Sequence, residues 1–286
     1  MGTVSASDLA KGLRSLGLQA GMGVVVHSSL RSFGQIQGGA PAVIASLMEV
    51  LTPEGTLLMP SFNHNHIIEP GWDGYYHPAR TPTINGIIPD TFWRMPGVCR
   101  SLDPTHAVAG WGKHASRYTR SHHRTLTMSP DSPLGLLGRE GGYGLLIGVG
   151  YEANTYHHVV ETTTGAPCLG KRSEAYPVVL PDGRQVLGRT WGWRGGMCPF
   201  TDGGRYPAEM AHRGLQSTVN VGASRLIFFR LADCFEVVND FLQEGRDDLP
   251  PCRLCPVRPR VVAQTVETDW DDSGGCLLPG SIAWSY

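Results

Sequence analysis

Leu9, Leu13 and Leu16 recur at helical spacing behind a capping serine, Ser5 or Ser7, and predict a short amphipathic helix that ends at a Gly-rich turn over residues 21–23. Val24-Val25-Val26 follows, a continuous β-branched run of the kind found in a strand covered on both faces. Residues 40–51 return to helical spacing, with Val43, Leu47 and Val50 on one side, and a turn at residues 53–55 leads into an apolar strand over 56–59. Strand, helix and strand in this succession make a βαβ unit. The same pattern recurs at residues 144–149, an apolar strand, followed by a helix capped by Asn154 or Thr155 and running to about Thr163. Residues 87–94 predict a short helix, and residues 223–243 a long one with Leu226, Phe229, Leu231, Phe235, Val238 and Leu242 as its apolar set. The fold class is α/β, with a mainly parallel central sheet and helices on both faces. Residues 1–286 read as one domain closed by an irregular tail over 246–286.

Between these elements, residues 61–83 form a long segment rich in His, Asn, Trp and Tyr, too decorated for a plain connector and expected to wall a binding cleft. Charge narrows the function. With 24 Lys+Arg against 25 Asp+Glu there is no basic surplus to neutralise phosphates, which argues against a nucleic-acid partner. No apolar stretch approaches the ~18 residues of a membrane span, and the N-terminus carries no signal-length apolar run. Seven scattered cysteines do not make a disulfide framework and fit a reducing compartment, so a cytoplasmic location is expected.

Two places carry chemistry. His27-Ser28-Ser29-Leu30-Arg31-Ser32-Phe33-Gly34 lies between a strand and a helix, where small residues at the carboxyl end of a parallel strand leave backbone N–H groups facing an anion. Neither a P-loop nor a strict G-x-G-x-x-G is present, so ATP and NAD are disfavoured. The second place is Asn154-Thr155-Tyr156-His157-His158-Val159-Val160-Glu161, again directly after a strand. On a helix His158 and Glu161 are three apart and His157 and Glu161 four apart, so either ring can meet the carboxylate and be made a better base. Spacing alone does not choose between the two rings.

Taken together, V-V-V-H-S-S-L-R-S-F-G, G-T-L-L-M-P-S-F, P-D-T-F-W-R-M-P-G-V-C-R-S, S-P-D-S-P-L-G-L-L, L-L-I-G-V-G and N-T-x-x-H-x-x-E resemble, in motif order over roughly residues 5–245, the aminoglycoside 3-N-acetyltransferase family. The resemblance implies an enzyme that carries an acetyl group from acetyl-coenzyme A to an amine of an aminoglycoside. It implies His158 and Glu161 as the catalytic pair; direct transfer with no acyl-enzyme is expected of them, with Thr155 or a nearby backbone N–H to stabilise the thioester oxyanion. It also implies a coenzyme-phosphate loop at Ser28, Ser29, Leu30, Arg31, Ser32 and Gly34, and a channel segment containing His106, Ala107 and Val108. Two positions depart from the family pattern: Tyr76-His77-Pro78 stands for F-D-P, and Ala107 for a serine. A polycationic acceptor needs carboxylates, for which Asp73, Asp202 and Glu209 are the candidates, with Tyr76 and His77 alongside. The acceptor could instead be another small amine.

Two readings compete at the level of chemistry. A metallohydrolase would use His64 and His66 with His77, His106, His122 and His123, but no E-x-x-H accompanies them. Cys252 and Cys255 form a single CxxC, half of a structural zinc site. Oligomeric state leaves no signature in the sequence.

Overall fold

The computed structural model describes residues 2–63, 76–164, 175–179, 183–189 and 205–244. The valine run forms β1 (Gly23–Ser28) at the centre of the sheet, pairing in parallel with β2 (Thr56–Pro60) on one side and β5 (Tyr143–Ile147) on the other. Outside this trio lie β3 (Cys99–Arg100), β4 (Val108–Gly112), β8 (Gln216–Val221) and β9 (Ser224–Arg230), giving the order β3-β4-β2-β1-β5-β9-β8. A separate antiparallel pair, β6 (Ala175–Val179) and β7 (Gln185–Arg189), is bridged to Tyr76.

The sheet is therefore mixed rather than mainly parallel. Only β2-β1-β5 run together; the four outer pairings are antiparallel. A strand buried on both faces has the same apolar run whichever way its neighbour points, so composition does not report direction. The expected helix over 223–243 is corrected as well. Residues 224–230 are β9, and the helix α8 occupies only Leu231–Glu244. Leu226-Ile227-Phe228-Phe229 is a continuous aromatic and β-branched run, the mark of a two-sided strand, and Gly222 at φ 59° turns β8 back into it.

Alternation along the strands divides the core. Val24 and Val26, Leu57 and Met59, and Leu145 and Ile147 face one layer. It is closed by α1 (Ala6–Ser15), α2 (Gly39–Leu51) and α3 (Ile87–Phe92). Val25, Leu58, Leu146 and Ile227 face the other. There lie α5 (Pro133–Arg139), α6 (Tyr156–Thr163), α7 (Arg205–His212) and α8, while the short α4 (Ala115–Thr119) packs against β4. The N-terminal helix starts at Ser5, whose hydroxyl accepts the Asp8 N–H while the Asp8 carboxylate accepts the Ser5 N–H, a reciprocal cap of about 1 kcal/mol. Among the described residues no helix is long and apolar enough to cross a membrane.

Candidate active site

The carboxyl ends of β1 and β5 open onto the two segments singled out in the sequence. After β5, a single 3-10 turn over Tyr151–Ala153 leads to Asn154, whose side-chain oxygen accepts the Tyr156 N–H and so opens α6. Because Asn154 performs that task, the hydroxyl of the next residue is not spent on it: Thr155 Oγ1 is buried and makes no hydrogen bond among the described residues. On α6, His158 Nδ1 lies 2.8 Å from Glu161 Oε2. A carboxylate oxygen only accepts, so Nδ1 carries the proton and the neutral ring keeps its lone pair on Nε2. The Glu161 side chain is sealed, at 1% exposure, whereas His158 retains 26%. That asymmetry suits a base which must reach a substrate and a carboxylate which must not be drawn to solvent.

His157 is a different residue in every respect. It is buried, its ring packs at 4.1 Å centroid distance against His158, and its Nδ1 lies 3.4 Å from the Tyr206 hydroxyl, which itself donates to the Tyr151 carbonyl. Of the two rings, His158 makes the 2.8 Å contact with the Glu161 carboxylate. His157, His158 and Glu161 each bring one donor atom within 4.8 Å of the others, the one such group of three among the described residues. Among the described residues, the other histidines of the His-rich inventory, His77, His106, His122 and His123, do not join it. His122 and His123 are buried with depressed basicity, both chiefly through desolvation, and His77 Nδ1 accepts the Ala79 N–H.

The loop after β1 forms a short 3-10 turn, Leu30–Phe33. The N–H groups of Ser29, Ser32 and Gly34 are bonded to chain carbonyls, and the Ser32 hydroxyl bonds the Ser29 carbonyl and Ser224 Oγ. Ser32 nests over Gly148, at φ 64°, where any side chain would collide with it. Arg31 is exposed. The predicted channel segment is threaded beside β2: Ala107 and Val108 are buried, and His106 is half-buried with its ring edge against Phe62. The buried Arg100 guanidinium donates to the Pro78 and Ser61 carbonyls and lies over the rings of Tyr76 and Trp93, tying this wall together.

Among the acceptor candidates, Tyr76 is fully buried and its hydroxyl donates to the Ser101 carbonyl. His77 is buried beside it, and Glu209 pairs with Arg213 at 2.7 Å on α7. Asp73 and Asp202 lie outside the described residues, as do His64, His66, Cys252 and Cys255.

A cleft of about 430 Å³ connects the two segments, lined by His27, Ser28, Asn85, Glu152 and Thr155 among apolar neighbours. Sequence reasoning did not single out Glu152 and Asn85, which line the cleft, and it included His27 in the first candidate segment without giving it a role of its own. The one available signal was a histidine ending an otherwise apolar strand. Burial holds the His27 ring neutral, its pKa pushed down to about 3.

The family profile described as aminoglycoside 3-N-acetyltransferase matches residues 25–243. The chain is 36% identical over 193 residues to the SPbeta prophage-derived aminoglycoside N(3')-acetyltransferase-like protein YokD of Bacillus subtilis (strain 168), covering 58% of this chain and 71% of that protein. The YokD crystal structure superposes with a TM-score of 0.75 at 26% identity, over 86% of this chain and 95% of that one. A complex of aminoglycoside acetyltransferase AAC(3)-IVa with a gentamicin gives 0.72 at 28% identity, over 93% and 99%. AAC-IIIb in a binary complex with CoASH shares the fold, with a TM-score of 0.74 at 23% identity over 85% and 98%.

Proposed function

The chain belongs to the aminoglycoside 3-N-acetyltransferase family, and from that premise we propose that it transfers the acetyl group of acetyl-coenzyme A to the 3-amino group of an aminoglycoside and so confers resistance. The observation that carries the mechanism is the 2.8 Å contact between His158 Nδ1 and the buried Glu161 carboxylate. An ammonium has no lone pair, so the acceptor reaches the thioester as the free amine. As its nitrogen bonds to the carbonyl carbon, His158 Nε2 takes the second proton. The tetrahedral adduct then collapses, the carbon–sulfur bond breaks, and the imidazolium returns the proton to the departing thiolate. Glu161 holds the ring in the productive tautomer and offsets the charge that forms on it, while the unspent Thr155 hydroxyl can donate to the developing oxyanion. Arg31, with the loop from Ser28 through Ser29, Leu30 and Ser32 to Gly34, is assigned to the coenzyme phosphates, and His106, Ala107 and Val108 to the wall of its channel.

Asp73 is assigned to an acceptor ammonium, together with Asp202 and Glu209. Direct transfer is supported by the cysteines as well. Of those described, Cys99 and Cys234 are buried thiols, the second with its pKa pushed up to about 12, so neither is a ready nucleophile.

The test is turnover. Purified protein with acetyl-coenzyme A should release free thiol in the presence of aminoglycosides, and NMR of the product should locate the new amide at the 3-amino group. Release with simple amines alone would redirect the assignment to another acceptor. Mass spectrometry of enzyme mixed with acetyl-coenzyme A alone should show no kinetically competent acetyl adduct.

A further inference from the structure

His157, His158 and Glu161 crowd the first half of α6, each with one donor atom within 4.8 Å of the others. Two imidazoles and a carboxylate are a ligand set for a zinc-class divalent ion, with a fourth position left open. Bonds of about 2.0–2.1 Å set tetrahedral ligand atoms about 3.3 Å apart, so side-chain rotations that move each donor by about 1 Å close the three around an ion. We propose that this group binds a zinc-class divalent cation and that the bound ion switches off the base of the proposed transfer. The binding stands apart from the transferase reading, and the inhibition rests on it.

The inner side of the site is already built as a ligand shell. The Tyr206 hydroxyl gives its single proton to the Tyr151 carbonyl at 2.9 Å, so at 3.4 Å it accepts from His157 Nδ1. That places the His157 proton on Nδ1 and the basic lone pair on Nε2. Proteins orient a ligating imidazole in this way, through a hydrogen bond from the nitrogen that does not touch the ion. Proton transfer has no task for His157, although the ring is buried and packs at 4.1 Å centroid distance against His158. Glu161 contributes the charge: sealed at 1% exposure, its carboxylate attracts a cation more strongly than a solvated surface acid does. His158, at 26%, is the open side from which an ion arrives.

Occupation and catalysis exclude one another. The neutral His158 ring carries its proton on Nδ1, towards Glu161. An ion entering between ring and carboxylate takes Nδ1, and the displaced proton moves to Nε2, onto the lone pair that serves as the base. An ion bound at Nε2 takes that lone pair directly. In both modes no nitrogen remains to receive the proton of the attacking amine.

Zinc chloride is the probe. Equilibrium dialysis of metal-free, full-length wild type, His157→Phe and Glu161→Gln reads binding without turnover. Any zinc held by Cys252 and Cys255 is common to the three proteins, so the difference between them reports the group on α6. Wild type should take up one equivalent that each variant binds at least about 10- to 100-fold more weakly, since even the partners behind a metal ligand are worth that much. Equal uptake by all three overturns the site. His157→Phe keeps a packed ring, and its initial rate without zinc should stay near that of wild type. Zinc that silences wild type should spare this variant, and a chelator should restore wild type in full. Inhibition of both to the same degree, wild-type turnover untouched by bound zinc, or a loss that the chelator does not reverse overturns the proposal. Should the variants not fold, anomalous diffraction from a zinc-soaked wild-type crystal decides: a peak within bonding distance of all three residues supports the site, and none there overturns it. If wild type acetylates nothing, the transferase reading fails by itself while dialysis still judges the metal site.

Discussion

Among the described residues, one buried cluster and one half-exposed pair each set an acid beside a histidine, and the two are satisfied in different ways. In the first, Ser101 Oγ lies 2.8 Å from His122 Nδ1 and Asp103 lies 3.9 Å from His122 Nε2, the residue types of a nucleophilic triad. All three are buried to 1% exposure or less. His122 Nε2 sits 2.8 Å from the Thr127 carbonyl, which can only accept, so Nε2 carries the proton and the Ser101 hydroxyl donates to Nδ1. Asp103 is occupied by the Thr105 and His106 N–H groups and the Thr127 hydroxyl. Every valence is satisfied inward, and the cluster fastens the turn before β4. In the second, His158 Nδ1 meets the Glu161 carboxylate at 2.8 Å on a ring that keeps 26% of its side chain exposed, the arrangement that the proposed mechanism uses. What separates them is an unspent lone pair with a path to solvent, not the identity of the residues.

The sharpest way to break this contrast is to remove each histidine in turn. His158→Ala should lower kcat by about 10²–10⁴-fold, the usual worth of a general base, with the melting temperature little changed. Glu161→Gln keeps the shape but weakens a charge-assisted hydrogen bond of about 1.5–3 kcal/mol, so a kcat loss of roughly 10- to 100-fold is expected, smaller than that of His158→Ala. His157→Ala should leave kcat nearly intact and cost stability instead.

The sealed cluster should behave in reverse. Ser101→Ala orphans His122 Nδ1 and the Val108 N–H that Ser101 Oγ accepts, and should destabilise the fold by about 1–3 kcal/mol in urea unfolding while kcat per folded molecule is unchanged. A catalytic loss without a stability loss would show that the cluster had been misjudged.

The smallest effect concerns pH. His27 and His123 have folded pKa values of about 3 and about 4, both lowered chiefly by desolvation, against 6.5 when exposed. Between pH 6.5 and about 4 the unfolded chain binds protons that these rings refuse in the fold, so stability is lost as pH falls through that window. The slope approaches about 1.4 kcal/mol per pH unit for each ring. Urea unfolding of wild type and His27→Gln at pH 6.5 and 5.5 should show a shallower loss in the variant; identical losses would mean that His27 is protonated in the folded state.

The sequence carried the inner half of this fold plainly. A β-branched run as strong as Val24–Val26 admits little but a two-sided strand, and a serine ahead of the Leu9, Leu13 and Leu16 spacing announces a helix start, although only the structure decides for Ser5 over Ser7. Strand direction was illegible, because β9 and β5 bury the same kind of side chain although they run oppositely. The helical spacing of Leu226, Phe229 and Leu231 was a coincidence that the unbroken run from Leu226 to Phe229 contradicts. At the site, His158 and Glu161 were legible as neighbours on one helix, since i,i+3 spacing is local. The cleft was not. Residues 27, 85, 152 and 155 meet only through parallel pairing of β1 with β5 and the packing of the chain after β2, and no local pattern records that meeting.

The general-base claim is tested most directly by the pH dependence of kcat/KM for the amine in wild type and His158→Gln. The amine's own ionisation is common to both enzymes, so any difference belongs to the enzyme. The account predicts an additional acidic limb in wild type, where protonation of the imidazole removes the Nε2 lone pair, and its disappearance in the slower variant. The same limb in both enzymes, at comparable rates, would contradict it.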